Sequence, residues 1–245
     1  MAVREYIQKV TEIINRAYEE QTETISAASA LLAETVEKRN NVFVFGCSHA
    51  GILAQEVFYR TGGLAVINPV FYPDLMLDTR PVTFTSKTER TPGLGREIAE
   101  RCGMKEEDLL MLHSVSGRNC VPVDMAVRAR ELGVKTVCIT NLAYSSSVSS
   151  RHPSGKRLFE VCDLVIDNKG DIGDASVEIP GLPEKIGPTS TAVGAAIINA
   201  VVIEAVEKML NDGFVPPVFM SANLDGGDEH NAKIFDKYKD NIFYM

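Results

Sequence analysis

The stretch LLMLHSVSGRNCVPVDMAVRARELGVKTVCITN, residues 109–141, decides the fold. It opens on an apolar run, Leu109–Leu112, crosses a small polar turn, enters a helical pattern near 121–132 and closes on a second apolar run, Val134–Thr140. Strand, helix, strand in about thirty residues is a βαβ unit, whose two strands lie parallel. Neither strand alternates polar with apolar residues, so both faces of the sheet must be covered.

The same alternation continues on either side. Val42–Phe45, a helical pattern from about 49 to 61, Leu64–Ile67, a helix near 94–102 and Leu164–Ile166 complete the set. The expected fold class is α/β, a doubly wound three-layer sandwich on a five-stranded parallel sheet. Residues 2–39 carry apolar side chains at helical spacing, from Tyr6, Ile7 and Val10 to Leu32 and Val36, and form one long amphipathic helix or two. Such an N-terminal helical extension buries its stripe only against the sheet or a second copy of the chain. Late in the chain, Gly187-Pro188-Thr189-Ser190 opens the run TAVGAAIINAVVIEAVEKML, which Asn211-Asp212-Gly213 ends. That run is apolar nearly all round and belongs in the core or in a subunit interface. Residues 68–92 and 141–158 are long irregular connections, which in compact domains are functional or mobile. With no repeat or linker, residues 1–245 read as a single domain: helices over 1–39, a core over 40–210, and a tail with a short helix over 211–245.

A formal charge of −8 over 245 residues argues against a broad nucleic-acid footprint, which needs clustered Lys and Arg. Small anions remain possible ligands, because they need only local donors. Five cysteines without C-x-x-C spacing suggest neither a disulfide framework nor a zinc ribbon, and reduced thiols point to a cytoplasmic setting. The start MAVREYIQKVTEII lacks an apolar signal region, and no segment reaches the roughly 18 apolar residues of a membrane span.

Open α/β sheets bind ligands at the carboxyl ends of their strands. Three polar clusters fall there: Gly46-Cys47-Ser48-His49-Ala50-Gly51, then His113 to Asn119, and Gly187 to Thr191. Each sets small hydroxyl residues and backbone N–H groups at a helix N-terminus, where orphan donors and the positive dipole end favour a phosphate. The first cluster is not a dinucleotide fingerprint, since Ser48 stands where G-x-G-x-x-G has glycine and Ile67 is followed by Asn68-Pro69 rather than an acid. It lacks the G-K-[ST] of a Walker loop, its G-x-S-x-x-G spacing is not a nucleophile elbow, and it offers too few ligands for a metal.

GCSHAG, then SVSGRN within residues 113–141, then GPTSTAVGAAIINAVVIEAV together resemble the sugar isomerase (SIS) domain of phosphosugar-binding proteins, over roughly residues 40–210. The whole chain is similar to stand-alone bacterial SIS proteins labelled phosphoheptose isomerases. The resemblance implies a flavodoxin-like strand order and an S-x-S-x-x-[ST] loop that wraps a sugar phosphate. Those positions here are Ser114, Ser116 and Asn119, the last a departure from Ser or Thr. Ser48 would touch the sugar or its phosphate, and Gly46, His49, Gly117 and Ser190 complete the candidate binding set.

The implied activity is aldose–ketose isomerisation of an amino-sugar or heptose phosphate by a homodimer or homotetramer, with no cofactor. Such chemistry needs an acid and a base near the carbonyl. Glu56 lies eight residues after Ser48, two helical turns on, among Ala54, Val57 and Phe58; it is either that base or a salt-bridged partner of Arg60. His230, in NLDGGDEHN, belongs either to a capped surface helix or to a C-terminal lid serving its own or a neighbouring site. His49 and His113 either pack or orient a hydroxyl. Cys47 reads as a small buried filler, and Arg118 faces either phosphate or solvent. Two rival functions share the loops: a phosphosugar sensor without chemistry, and a lyase on N-acetylmuramic acid phosphate. About 40 residues before the first strand leave no room for a helix-turn-helix module, so the sensor would act on a partner other than DNA.

Overall fold

The N-terminal periodicity resolves into one helix. In the structure, a computed structural model describing residues 2–245, α1 runs unbroken over Ala2–Glu37. Strand β1 (Val42–Gly46) follows, then a 3₁₀ turn, Ser48–Gly51, and a short α2 (Ile52–Glu56). Next come β2 (Ile67–Pro69), α3 (Thr83–Thr88) and α4 (Leu94–Arg101). The unit read first is β3 (Leu109–His113), α5 (Cys120–Glu131) and β4 (Lys135–Thr140). After it stand α6 (Leu142–Ser147), β5 (Leu164–Asp167) and a small antiparallel pair, β6 (Ala175–Val177) and β7 (Ile186–Pro188). The chain closes with α7 (Ser190–Asn211) and α8 (Gly227–Lys237).

Two boundaries differ from expectation. The helix after the first loop stops at Glu56 rather than near 61, and the second strand begins at Ile67 rather than Leu64. Leu64 instead forms an antiparallel bridge with Val218 of the tail, a long-range pairing that no local pattern announces.

The five long strands form one parallel sheet in the order β2-β1-β3-β4-β5. Its register sets Gly46 beside His113 and His113 beside Ile139, so the carboxyl ends of the three central strands are level. Successive strand residues face opposite layers. Val42, Val44, Leu109, Met111, Val137 and Ile139 join the core under α1 and α7, whereas Phe43, Phe45, Leu110, Leu112 and Cys138 join the core under α4 and α5. The fold is thus the three-layer α/β sandwich with a long N-terminal helix.

Helix α1 buries Ile25, Ala28, Leu32 and Val36, the three-and-four spacing of one helical face. Helix α7 is less enclosed than its composition suggested. Val193, Ile197, Val201 and Ala205 are buried, while Ile203 and Leu210 are exposed. No helix among the described residues is long and apolar enough to cross a membrane.

Candidate functional site

In a sheet of this order, β1 and β3 lie side by side while their connections depart in opposite directions, which opens a crevice between their carboxyl ends. Gly46 ends β1, and a Cβ there would lie 2.5 Å from the Ala50 carbonyl carbon. Only glycine lets the turn fold back so tightly. Ser48, at φ +52°, adopts the left-handed conformation, and its buried hydroxyl has no partner. His49 is exposed in the 3₁₀ turn and makes no side-chain hydrogen bond among the described residues.

Across the crevice His113 is 2% exposed, and its Nδ1 donates to the Ala50 carbonyl at 3.1 Å. Nε2 is then the acceptor nitrogen of a neutral ring, and it is buried without a partner. Burial pulls the imidazole down to about 4, so the ring stays uncharged near neutral pH.

The loop after β3 is built to offer donors. Thr140 Oγ1 donates to the Ser114 carbonyl at 2.7 Å and the Leu158 N–H to the Gly117 carbonyl at 2.8 Å, which pin the loop from below. Gly117, at φ +56°, turns the backbone through the left-handed region that makes concave N–H nests. From Val115 to Cys120, six consecutive backbone N–H groups find no intramolecular acceptor among the described residues. The hydroxyls of Ser114, buried, and Ser116, half-buried, are likewise unengaged there.

Asn119 takes the N-cap position of α5 but does not cap it. Its Oδ1 accepts from Arg151 Nη1 at 2.8 Å, and its amide is near enough to the Glu89 carboxyl to lower that group's pKa. The departure from Ser or Thr therefore ties the Arg151 side chain to the loop.

Glu89 is the residue that sequence reasoning missed. It follows α3 in the long irregular segment, and its carbonyl accepts from the Val121 N–H at 3.1 Å, which fixes it against the start of α5. Burial raises its carboxyl above the ordinary value, against the lowering effects of Asn119, Arg90 and Arg151. Its charge also acts on Cys47, whose thiol burial already pushes well up. Glu89 thus stands between the loops after β1 and β3. Cys47 is a buried side chain, with its thiol kept protonated.

Five buried polar atoms without partners belong to residues at the carboxyl end of the sheet: Ser48 Oγ, His113 Nε2, Ser145 Oγ, Asn168 Nδ2 and Thr189 Oγ1. Native interiors rarely leave such atoms unpaired away from ligand or water sites. No group of three or more His, Cys, Asp or Glu side chains among the described residues is placed to share a metal ion.

The remaining candidates lie elsewhere. At the third polar cluster, Asp174 Oδ1 accepts from the N–H groups of Thr189 at 3.1 Å and Ser190 at 2.8 Å, and Oδ2 from Ser190 Oγ at 2.7 Å. The anion at the start of α7 is the protein's own carboxylate, so Ser190's donors are already occupied. Glu56 is paired with Arg60 and accepts from Asn199 Nδ2 at 3.0 Å. It stands in a hollow of about 650 Å³ with Tyr59, Phe71 and Met76. Ser48 lines an adjoining narrow gap that shares Gln55, Phe71 and Met76 with this hollow. His230 Nε2 donates to the Val218 carbonyl at 3.0 Å, and Val218 bridges Leu64, before the amino end of β2. Within the chain, His230 is therefore away from the crevice at the carboxyl ends.

The description of the SIS domain matches residues 5–141, which takes in α1 and stops at the end of β4. A UPF0309 protein of Oceanobacillus iheyensis is 47% identical over 243 residues, 99% of each chain. One from Streptomyces coelicolor is 38% identical over 241 residues, 98% of this chain and 96% of its own. Among solved structures, a phosphoheptose isomerase from Francisella tularensis superposes with a TM-score of 0.51 at 16% identity, covering 84% of this chain and all of its own. The Vibrio vulnificus NanR protein complexed with ManNAc-6P gives 0.52 at 15% identity, covering 97% of this chain and 69% of its own. At such identities the likeness is one of fold. By the family match and by its full-length relatives, the chain belongs to the SIS domain family, among the UPF0309 proteins.

Proposed function

We propose that this chain binds a phosphosugar in the crevice between β1 and β3 and interconverts its aldose and ketose forms. The observation that carries this reading is the run of six unengaged N–H groups from Val115 to Cys120, flanked by the hydroxyls of Ser114 and Ser116. Backbone donors converging at a left-handed turn before a helix are a phosphate cradle. The sugar then extends toward Ser48 and His113, whose unpartnered hydroxyl and Nε2 suit sugar hydroxyls. An amino-sugar or heptose phosphate fits this description.

Isomerisation moves a proton between adjacent carbons, and Glu89 is the group suited to carry it. As a carboxylate it takes the proton from the carbon next to the carbonyl, leaving an enediolate; the hydroxyl proton passes from that carbon's oxygen to the former carbonyl oxygen, and Glu89 returns its proton to the neighbouring carbon. A carboxyl with a raised pKa is a stronger base once ionised and holds the proton between the two steps. Glu56, neutralised by Arg60, and His230, bonded to Val218, are not given this task.

The test is to incubate the protein with a panel of phosphosugars in deuterated water and follow carbon-bound hydrogen by NMR. At least one should exchange a hydrogen next to its carbonyl and appear as its isomer. Tight binding without exchange would favour the sensor, release of lactate the lyase, and neither binding nor exchange would overturn the phosphosugar reading.

A further inference from the structure

Beside the cradle stand three guanidinium groups that phosphate alone does not explain: Arg90, Arg118 and Arg151. Arg118 donates from Nε to the Ser149 carbonyl at 2.9 Å and from Nη2 to its hydroxyl at 3.2 Å. Arg151 donates to the Asn119 amide oxygen at 2.8 Å, and its backbone N–H donates to the Arg118 carbonyl at 2.8 Å. Arg90 adjoins Glu89, whose carbonyl sits on the first turn of α5. All these acceptors are neutral. No ion pair joins any of the three to a carboxylate among the described residues; Arg4, Arg16, Arg39 and Arg80 are likewise unpaired but scattered, whereas Arg60, Arg96, Arg128, Arg130 and Arg157 are each paired.

What distinguishes Arg90, Arg118 and Arg151 is that three unpaired cations are grouped around one loop in a chain with 33 acidic and 25 basic side chains. Besides burial, the charges of Arg118 and Arg90 lower the Arg151 pKa, so the three cations act on one another. The carboxyl among them, Glu89, is the one that burial discourages from ionising. One phosphate is already served by the neutral donors of the loop. The arginines are left as a second electropositive spot at the rim of the same crevice. Their planar forks match the paired oxygens of a carboxylate or a phosphate.

We infer that the substrate carries a second acidic group besides its sugar phosphate, a carboxylate or a further phosphate, held by Arg90, Arg118 and Arg151. The inference rests on the phosphosugar reading above, and calorimetry at fixed ionic strength separates the two. The probes are glucose 6-phosphate, 6-phosphogluconate and fructose 1,6-bisphosphate. At least one doubly acidic probe should bind ten-fold or more tightly than glucose 6-phosphate, and which one does so distinguishes carboxylate from phosphate. Arg118→Gln and Arg151→Gln should each reduce that preference several-fold, read as the ratio of the two affinities within each variant. The Arg118 side chain bonds Ser149 and that of Arg151 bonds Asn119, so the same loss in both variants points to their shared charge rather than to either anchor. Equal affinity for all three probes, or a preference that survives both substitutions, overturns the inference and leaves the phosphosugar reading standing. Failure of every probe to bind overturns both.

Discussion

Burial shifts the titration of Glu89 upward and that of His113 downward, and each shift leaves a measurable trace. Glu89→Gln should cut deuterium exchange by about 10²–10⁴-fold while phosphosugar affinity stays nearly unchanged. Since the folded carboxyl has a raised pKa, its stabilising contribution is complete below 4.5 and is lost as pH rises through the folded value. The Gln variant cannot ionise, so its melting temperature should gain on the wild type from acid toward neutral pH; parallel curves would contradict this. His113 has the opposite sign. Its contribution is present above 6.5 and fades as pH falls toward about 4, a loss of about 3 kcal/mol. His113→Gln should flatten thermal stability across that window. That Gly46, Ser48, Ser114 and Ser116 stand at the carboxyl ends of β1 and β3 was legible in the sequence, because strand end, small polar turn and helix start are neighbours in the chain. Glu89 was not, because Cys47 and Asn119 reach it only through the fold.

At the scale of elements, the start of α7 shows how a correct local reading can mislead about chemistry. The Gly-Pro-Thr-Ser pattern locates the helix, since Ser190 opens it in the structure. What it cannot reveal is the anion there, because Asp174 arrives from the approach to β6 at φ +72°. Asp174→Ala should remove a helix cap and lower stability by about 0.5–2 kcal/mol, read as a drop in melting temperature. An unchanged melting temperature would mean that water replaces the carboxylate without loss. The β6–β7 pair itself was not foreseen, for two three-residue strands carry too little periodicity to register. The βαβ unit of β3, α5 and β4 was foreseen almost to its ends, because its packing demands long runs of one pattern.

At the scale of the molecule, the two cores divide the strand residues by simple alternation, and that division was implicit once the sheet was read as covered on both faces. The outer surface of α1 is the part left unexplained by one copy. Val3, Ile7 and Tyr18 are 77%, 60% and 58% exposed, and Ile203 and Leu210 of α7 lie exposed on the helix it packs against. A homodimer or homotetramer buries such residues, so sedimentation should give a multiple of the chain mass. Ile7→Glu should shift that distribution toward the single chain. The central claim, that the loop from Ser114 to Asn119 receives the phosphate and Glu89 faces the sugar carbons, is tested most directly by a crystal structure with a phosphosugar bound. The account predicts phosphate oxygens within hydrogen-bond distance of the Val115–Cys120 N–H groups and the Glu89 carboxyl against the carbon next to the carbonyl. Phosphate bound instead at the sheet-edge cleft lined by Phe43, Arg101 and Phe243, or Glu89 turned away from the sugar, would contradict it.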